Sequence, residues 1–283
     1  MQKILGYAIL AAGIAYCVLI LYRALSNKDK FLACRGRLAL LLPAEAILFF
    51  IAASGISDYV MNTIVANRLH TADDKELPGT LVVSSLVPGS IIAFSLLRSE
   101  SVVHWSVIAA CGITAMLGSF VGVRLVRRFE GGVIRKIMAV ALMFSLAALI
   151  FRMIVSKGAM SDATFLPLPK LILGAVIIFF TGVLNMFGIP MKATWTAIFL
   201  LLGLSPLSTL TMSLVLGSIS VLSGGVGIIR QGNYHQKTAV AAATAGAFGA
   251  LLGVLFTLSL SPLALNIILI IVMLIAIVTM LRK

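Results

Sequence analysis

Four stretches of this chain, Ile4–Leu21, Ser106–Val123, Ile137–Ile150 and Asn266–Leu281, run without a single charged residue. About 18–20 apolar residues are enough to carry a helix across the hydrocarbon of a bilayer. In lipid the backbone must bond to itself, so such runs are helices or strands of a closed barrel. Barrel strands alternate apolar and polar with period two, and these runs do not. Overall, 61% of the residues are hydrophobic and 11% charged, against about a half and about a quarter in soluble domains. The expected class is an all-α polytopic membrane protein.

The formal net charge is +13. In a soluble chain that would point to nucleic acid. Here the basic residues cluster between apolar runs, at Arg35 and Arg37 and over Arg124–Lys136, which reads as topology signal and contact with anionic lipid. Cys17, Cys34 and Cys111 are too scattered for a disulfide framework, and no metal-ligand spacing occurs. No cofactor and no metal are expected. The motifs G-x-S-x-G, H-E-x-x-H and the P-loop are missing, so an enzyme is not expected. The first apolar run has no convincing small-residue cleavage site and is expected to be a retained helix.

Along the chain a pattern occurs twice. A first helix over about 4–25 and a polar loop, Ser26–Arg37, precede an interrupted stretch, 38–69, broken near Ser54-Gly55-Ile56-Ser57. Helices over 80–97, 103–127 and 133–155 follow. After a loop with Pro167 and Pro169 comes a second interrupted stretch, 171–204, broken near Gly188-Ile189-Pro190, then helices over 208–229, 237–258 and 263–281. The expected organisation is an N-terminal helix and loop (1–37), repeat one (38–155), a linker (156–170) and repeat two (171–283). At one offset Pro78 falls on Pro206, Ser85-Leu86-Val87 on Ser213-Leu214-Val215 and Gly89-Ser90-Ile91 on Gly217-Ser218-Ile219. At a slightly larger one His104 falls on His235, Gly118 on Gly249 and Gly122-Val123 on Gly253-Val254. Glycines four apart flatten a helix face so that a neighbour can approach.

Charge predicts the topology. If each interrupted stretch is a hairpin of two short helices, 17 of the 22 Lys and Arg fall on one face and 5 on the other. If each crosses once, and Lys192 is set aside, the split is 13 against 8. Positive residues favour the cytoplasm, so the hairpin is expected, with the N-terminus outside and the C-terminus cytoplasmic. The two repeats are then inverted copies, an arrangement found in many secondary transporters.

Candidate chemistry sits in the interruptions. Seven of the nine acidic residues lie in loops or at helix ends, while Glu45 and Asp58 lie within the first interrupted stretch and Lys192 within the second. A charge at bilayer depth costs several kcal/mol, so it faces a cavity or a partner. Asp58, with Asn62 at helical spacing and Ser57 and Thr63 beside them, reads either as part of a substrate or proton site or as the N-cap of the helix that starts there. Lys192 reads as an attractor of anions or as an interfacial lysine reaching the headgroups. Glu45 is a proton carrier or half of a buried pair. Asn185, Ser85 and Ser213 complete the candidate lining, with Ser90 and Ser218 as a further matched pair. His104 and His235 read as polar anchors at helix starts.

Three stretches resemble a known family. Pro78-Gly79-Thr80-Leu81 with Ser84-Ser85-Leu86, then Leu117-Gly118-Ser119-Phe120-Val121-Gly122-Val123-Arg124-Leu125 with Arg127-Arg128, and Leu202-Gly203-Leu204-Ser205-Pro206 are similar to the TauE/SafE family of sulfite exporter-like permeases. The resemblance runs from about residue 40 to 283. It implies a permease for a small anion, sulfur-containing or an organic acid, with its site at the breaks: Asp58, Asn62, Asn185 and Lys192. The Gly-rich run with a following Pro that the family carries at each break reads here as Ser54-Gly55-Ile56-Ser57-Asp58 and Phe187-Gly188-Ile189-Pro190-Met191-Lys192. Expected partners are a small anionic solute and membrane lipid, not nucleic acid, and a homo-oligomer is compatible with these features. The expected location is the cytoplasmic (inner) membrane, and coupling to protons would run through Glu45 or Asp58. The rival readings are a drug/metabolite-type carrier, which would place its N-terminus in the cytoplasm, and a non-transporting assembly subunit.

Overall fold

The computed structural model describes residues 1–98, 103–129 and 163–257, with 132–133, 140, 143 and 147. The helices expected over 133–155 and 263–281 lie outside the described residues or nearly so. Eleven helices are described, and no strand occurs among the described residues. They are α1 (Gln2–Ser26), α2 (Lys28–Ala33), α3 (Leu38–Ala52), α4 (Asp58–Leu69), α5 (Leu77–Arg98), α6 (Trp105–Val126), α7 (Leu168–Asn185), α8 (Met191–Leu202), α9 (Pro206–Gln231), α10 (Gln236–Ala241) and α11 (Ala247–Thr257). A π-helical segment, Ala242–Gly246, joins α10 to α11 as one span. Among the described residues, six helical spans are long and apolar enough to cross a membrane, including α1, α5, α6 and α7.

Both interruptions fall where the glycines are. α3 ends at Ala52 and α4 begins at Asp58; α7 ends at Asn185 and α8 begins at Met191. Gly55 has φ +90° and Gly188 φ +80°. A side chain is disfavoured in that left-handed region by roughly 1–2 kcal/mol, which is why glycine marks each turn. The short helices after the breaks also stop alike, α4 at His70 (φ 48°) and α8 at Gly203 (φ 101°). Gly55 with Gly188 and His70 with Gly203 share one offset, so the interrupted pairs repeat at the level of the backbone.

Two segments differ from the sequence reading. The polar loop contains the short helix α2, built from the helix-forming run Lys28-Asp29-Lys30-Phe31-Leu32-Ala33. The segment 156–170 is not all linker, because α7 already starts at Leu168, with Pro169 in its first turn where a missing N–H costs nothing. At 18 residues α7 is long enough to cross by itself, whereas α3 has 15.

The repeated glycines place the helices. A Cβ on Gly118 would lie 2.1 Å from the Phe179 carbonyl oxygen, and one on Gly122 2.5 Å from that of Val183, so α6 lies against α7 backbone to backbone. On Gly249 and Gly253 it would lie 2.0 Å from the Ala46 oxygen and 2.3 Å from that of Phe50, so α11 meets α3 in the same way. Each half therefore presses a glycine face onto the first interrupted helix of the other half. The histidines follow suit. His104 caps α6 by accepting from the Ser106 amide, and its own amide donates to Thr164 O (2.8 Å) in the segment leading to α7. His235 caps α10 by accepting from Thr238, and its Nε2 lies 2.9 Å from Arg35 O in the segment leading to α3.

The helix α1 lies outside this doubled pattern and packs against α5 and α9. Tyr16 Oη donates to the Leu222 carbonyl (2.5 Å) and accepts from the Val226 amide (3.1 Å). An α-helix joins those two backbone groups to each other, so the phenol sits astride one rung of α9, beside Gly224, Gly225 and Gly227. Next to it, Cys17 Sγ reaches Ala243 O (3.7 Å) in the π segment.

Candidate functional site

The ends of the two interruptions meet. Asp58 is the first residue of α4, after the N-cap Ser57, whose side chain makes no cap bond. Lys192 is the second residue of α8. Its Nζ lies 2.6 Å from Asp58 Oδ1, with the lysine side chain 17% exposed and the aspartate 4%. Thus Asp58 is neither a plain N-cap nor Lys192 a headgroup lysine: each is the other's partner, contributed by a different half of the chain.

The second carboxylate oxygen, Asp58 Oδ2, accepts from Ser85 Oγ on α5. Ser85 Oγ also lies 2.9 Å from the Leu81 carbonyl. A small cleft opens around the pair. It is lined from α4 and its approach by Ser57, Asp58 and Tyr59, from α8 by Met191, Lys192 and Trp195, from α5 by Ser85 and Gly89, and from α9 by Gly217, Ser218 and Val221. Pro190 and Asn185 close it. Two of its buried polar atoms, Ser57 Oγ and Tyr59 Oη, have no hydrogen-bond partner. Buried hydroxyls are normally paired, so a pair of idle ones in one cleft marks where an oxygen-bearing guest would sit. The starts of α4 and α8 both border the cleft, and their dipoles favour negative charge there.

The cleft exists because the neighbours leave room. Gly217 stands where a Cβ would be 3.6 Å from Lys192 Cε and 3.8 Å from the Trp195 ring. Ser218 Oγ donates to Gly89 O (2.7 Å), tying α9 to α5 at the matched glycines. Trp195 is fully buried, and its Nε1 donates to Thr181 Oγ1 (2.7 Å), fixing the indole as a wall.

Of the residues singled out in the sequence, Asp58, Ser85, Asn185 and Lys192 come together here. Asn185 Nδ2 donates to Ser220 Oγ (2.8 Å), which in turn meets Ser119 Oγ at 2.6 Å. Asn62 and Glu45 form a neighbouring buried couple outside the lining: Asn62 Nδ2 donates to Glu45 Oε2 (3.4 Å) and Ser84 Oγ (3.3 Å). Glu45 Oε1 has no partner. Ser213 lies off the cleft and donates to Leu210 O (2.9 Å). Trp195 and Tyr59 were not singled out; a tryptophan one helical turn after Lys192 and a tyrosine next to Asp58 were the available signals. Among the described residues no group of three His, Cys, Asp or Glu is placed to hold a metal.

The architecture defines a class, that of α-helical membrane proteins whose interrupted segments meet at an internal ion pair beside a cleft. More narrowly, the chain belongs to the family described as Sulfite exporter TauE/SafE, whose model matches residues 69–280. That is a family of membrane transporters, not enzymes. The matched region starts at the end of α4, so Asp58 lies before it and Lys192 within it. No curated protein and no solved structure matches the chain significantly.

Proposed function

We propose that this protein is a secondary transporter that moves a small anion across the cytoplasmic membrane by alternating access. The observation that carries the reading is the cleft between the two interruptions, which holds a cation, an exchangeable carboxylate and two idle buried hydroxyls. Lys192 is the group that attracts the anion, Ser57, Tyr59 and Asn185 are the donors around it, and Ser85 holds Asp58. Sulfur oxyanions and organic acids are the favoured substrates. Protons are the coupling ion: Asp58 is the carrier within the cleft, and Glu45, held by one amide and by no ion pair among the described residues, is the carrier behind it. An ion pair alone would also suit a non-transporting subunit; the cleft beside it is what favours a carrier.

The two halves are read as inverted copies, with Met1 outside and the basic face, which includes Arg124, Arg127 and Arg230, toward the cytoplasm. The reciprocal seating of α6 on α7 and of α11 on α3 supports this, since each half then holds the moving hairpin of the other. A reporter fused at Met1 separates this topology from that of a drug/metabolite-type carrier, which would report from the cytoplasm. The functional test is uptake of radiolabelled sulfite, methanesulfonate and acetate into proteoliposomes. Lys192→Ala should stop uptake, and Asp58→Asn should remove accumulation driven by a pH gradient. If both variants transport like wild type, the cleft is not the site.

A further inference from the structure

The polar groups of the cleft carry a rule about charge, which rests on the transporter reading above and sharpens its substrate class. At present the pair is neutral: Lys192 is matched by Asp58 and by no second acid in the cleft lining. An anion that approaches Lys192 must take the place of the carboxylate. Two negative groups on one ammonium, buried in lipid, would leave a net charge that costs several kcal/mol. A proton on Asp58 removes that charge.

The structure has a place ready for this proton. Ser85 Oγ touches two acceptors, Asp58 Oδ2 and Leu81 O. A hydroxyl has one hydrogen to give and two lone pairs to receive, so with Asp58 ionised the Ser85 hydrogen goes to Oδ2, while Leu81 O keeps the hydroxyl of Ser84 (3.0 Å). With Asp58 protonated the same serine still has a partner on each side. The carboxyl O–H donates to Ser85 Oγ, and the Ser85 O–H donates to Leu81 O. Meanwhile Lys192 is released from Asp58 to pair with the anion.

We infer that the site takes one monoanion together with one proton, Asp58 handing Lys192 over to the anion and receiving the proton into the hydrogen-bond chain through Ser85. The balance is complete. The Asp58–Lys192 salt link breaks, a Lys192–anion link forms, and one proton moves from water to Asp58. The cleft is neutral before and after. A dianion would leave one negative charge uncovered, so it is refused unless it first takes up a proton of its own. The titratable groups that face Asp58 are Lys192 from α8, Tyr59 on α4 itself, and Glu45 from α3 beyond Asn62; α5 and α9 present only serines there. Ser85 is a positioning residue: it holds the proton's place and does not need to touch the anion.

The test is calorimetric binding of methanesulfonate, acetate and sulfate to the purified full chain, in buffers of different ionisation enthalpy, between about pH 6 and 8. Methanesulfonate keeps its single charge across that range, so any proton taken up belongs to the protein. The expected result is about one proton taken up per methanesulfonate or acetate, with affinity rising about tenfold for each unit the pH falls, and no binding of sulfate. Ser85→Ala should lower the proton count and flatten the pH profile while methanesulfonate still binds, and Ser85→Thr should restore both. Should the alanine variant fail to fold, the proton count of the wild type decides alone. Binding with no proton uptake would overturn this inference and leave the transporter reading standing. Sulfate binding as well as methanesulfonate, with a single proton, would overturn the charge rule. Failure of all three anions to bind at any pH would overturn this inference and the assignment of the cleft together.

Discussion

The two interrupted segments use the same backbone and opposite chemistry. In each, a long apolar helix stops, a glycine in the left-handed region turns the chain, and a second helix starts three residues later and ends on another left-handed residue. Yet the first delivers Ser57, Asp58 and Tyr59 to the cleft, and the second delivers Pro190, Met191 and Lys192. One break supplies the acid and the other the base. Had both supplied an acid, the cleft would repel an anion; had both supplied a lysine, its own charges could not be buried. Division between the halves also ties the site to their relative position, since any motion of one against the other pulls on the Asp58–Lys192 contact.

The largest effect expected from breaking this comparison follows removal of one side only. Lys192→Ala leaves Asp58 buried without a cation, and should cost up to about 3 kcal/mol of stability and all anion uptake. The double variant Asp58→Asn with Lys192→Gln should recover most of the stability and none of the uptake. Thermal unfolding in detergent alongside proteoliposome uptake measures both. If the double variant transports, the pair is structural and the chemistry lies elsewhere.

A second pair of changes asks whether the halves are seated equally. Gly118→Ala on α6 and Gly249→Ala on α11 each put a methyl within about two ångströms of a carbonyl oxygen of the facing helix. Backbone must move in both, at a cost of about 1–3 kcal/mol each. Equal losses would support two equivalent joints; a loss at one site alone would mean that the repeat is a resemblance of sequence without mechanical consequence. Somewhat smaller losses, about 1–2 kcal/mol, are expected from Gly55→Ala and Gly188→Ala at the turns. The alanine at Gly55 should be the worse of the two if its crowding against Leu210, whose Cδ1 would lie 2.8 Å away, adds to the backbone strain.

These elements differ in how far the sequence reveals them. The apolar runs and the two glycine breaks are local signals, and the helices stop where Gly55 and Gly188 predict. That Glu45 and Asp58 are the acids of the first interruption and Lys192 the charge of the second is also plain from the chain. What the sequence hides is contact across distance. Hydropathy cannot tell that Asp58 and Lys192 touch, that Ser213 turns away while its neighbour Ser218 lines the cleft, or that Trp195 forms a wall. The common offset of the interrupted pairs was equally hidden, because within them only Gly55 with Gly188, Ile56 with Ile189, Thr63 with Thr196 and three leucine pairs (Leu38 with Leu171, Leu40 with Leu173, Leu69 with Leu202) are alike. Their side chains diverge: one break carries the acid and the other the lysine, on one backbone.

Outside the doubled pattern, Tyr16 tests what the added helix contributes. Its hydroxyl bridges the Leu222 carbonyl and the Val226 amide at a glycine-rich stretch of α9. Tyr16→Phe removes the bridge and leaves the ring, so the two backbone groups must return to each other. The expected loss of stability is about 1 kcal/mol, read as a small drop in unfolding temperature. A larger loss than at the Gly55 or Gly188 turns would mean that α1 is a structural member equal to the two halves.

The smallest effect contrasts the two helix-capping histidines. His235 is buried, and burial holds its imidazole below the ordinary histidine range, against the pull of the Arg35 carbonyl and with a push from Lys237. Its Nδ1 accepts from the Thr238 amide, which leaves Nε2–H to donate to Arg35 O. This requires the neutral ring, since a proton on Nδ1 would end the cap. On acidification the unfolded chain takes up its proton first, near pH 6.5. The stability contributed by the neutral ring is therefore intact above that value and declines as the pH falls below it. Unfolding followed from pH 8 to pH 5 should show a loss of under about 1 kcal/mol that His235→Gln removes. His104, exposed at the matching helix start, is hydrogen-bonded to the segment before α7 through its backbone amide, while its ring only stands edge-on to Phe165 there (5.5 Å). Replacing it by Gln should leave that tether in place, so an equal response at both positions would contradict the different use of the two rings.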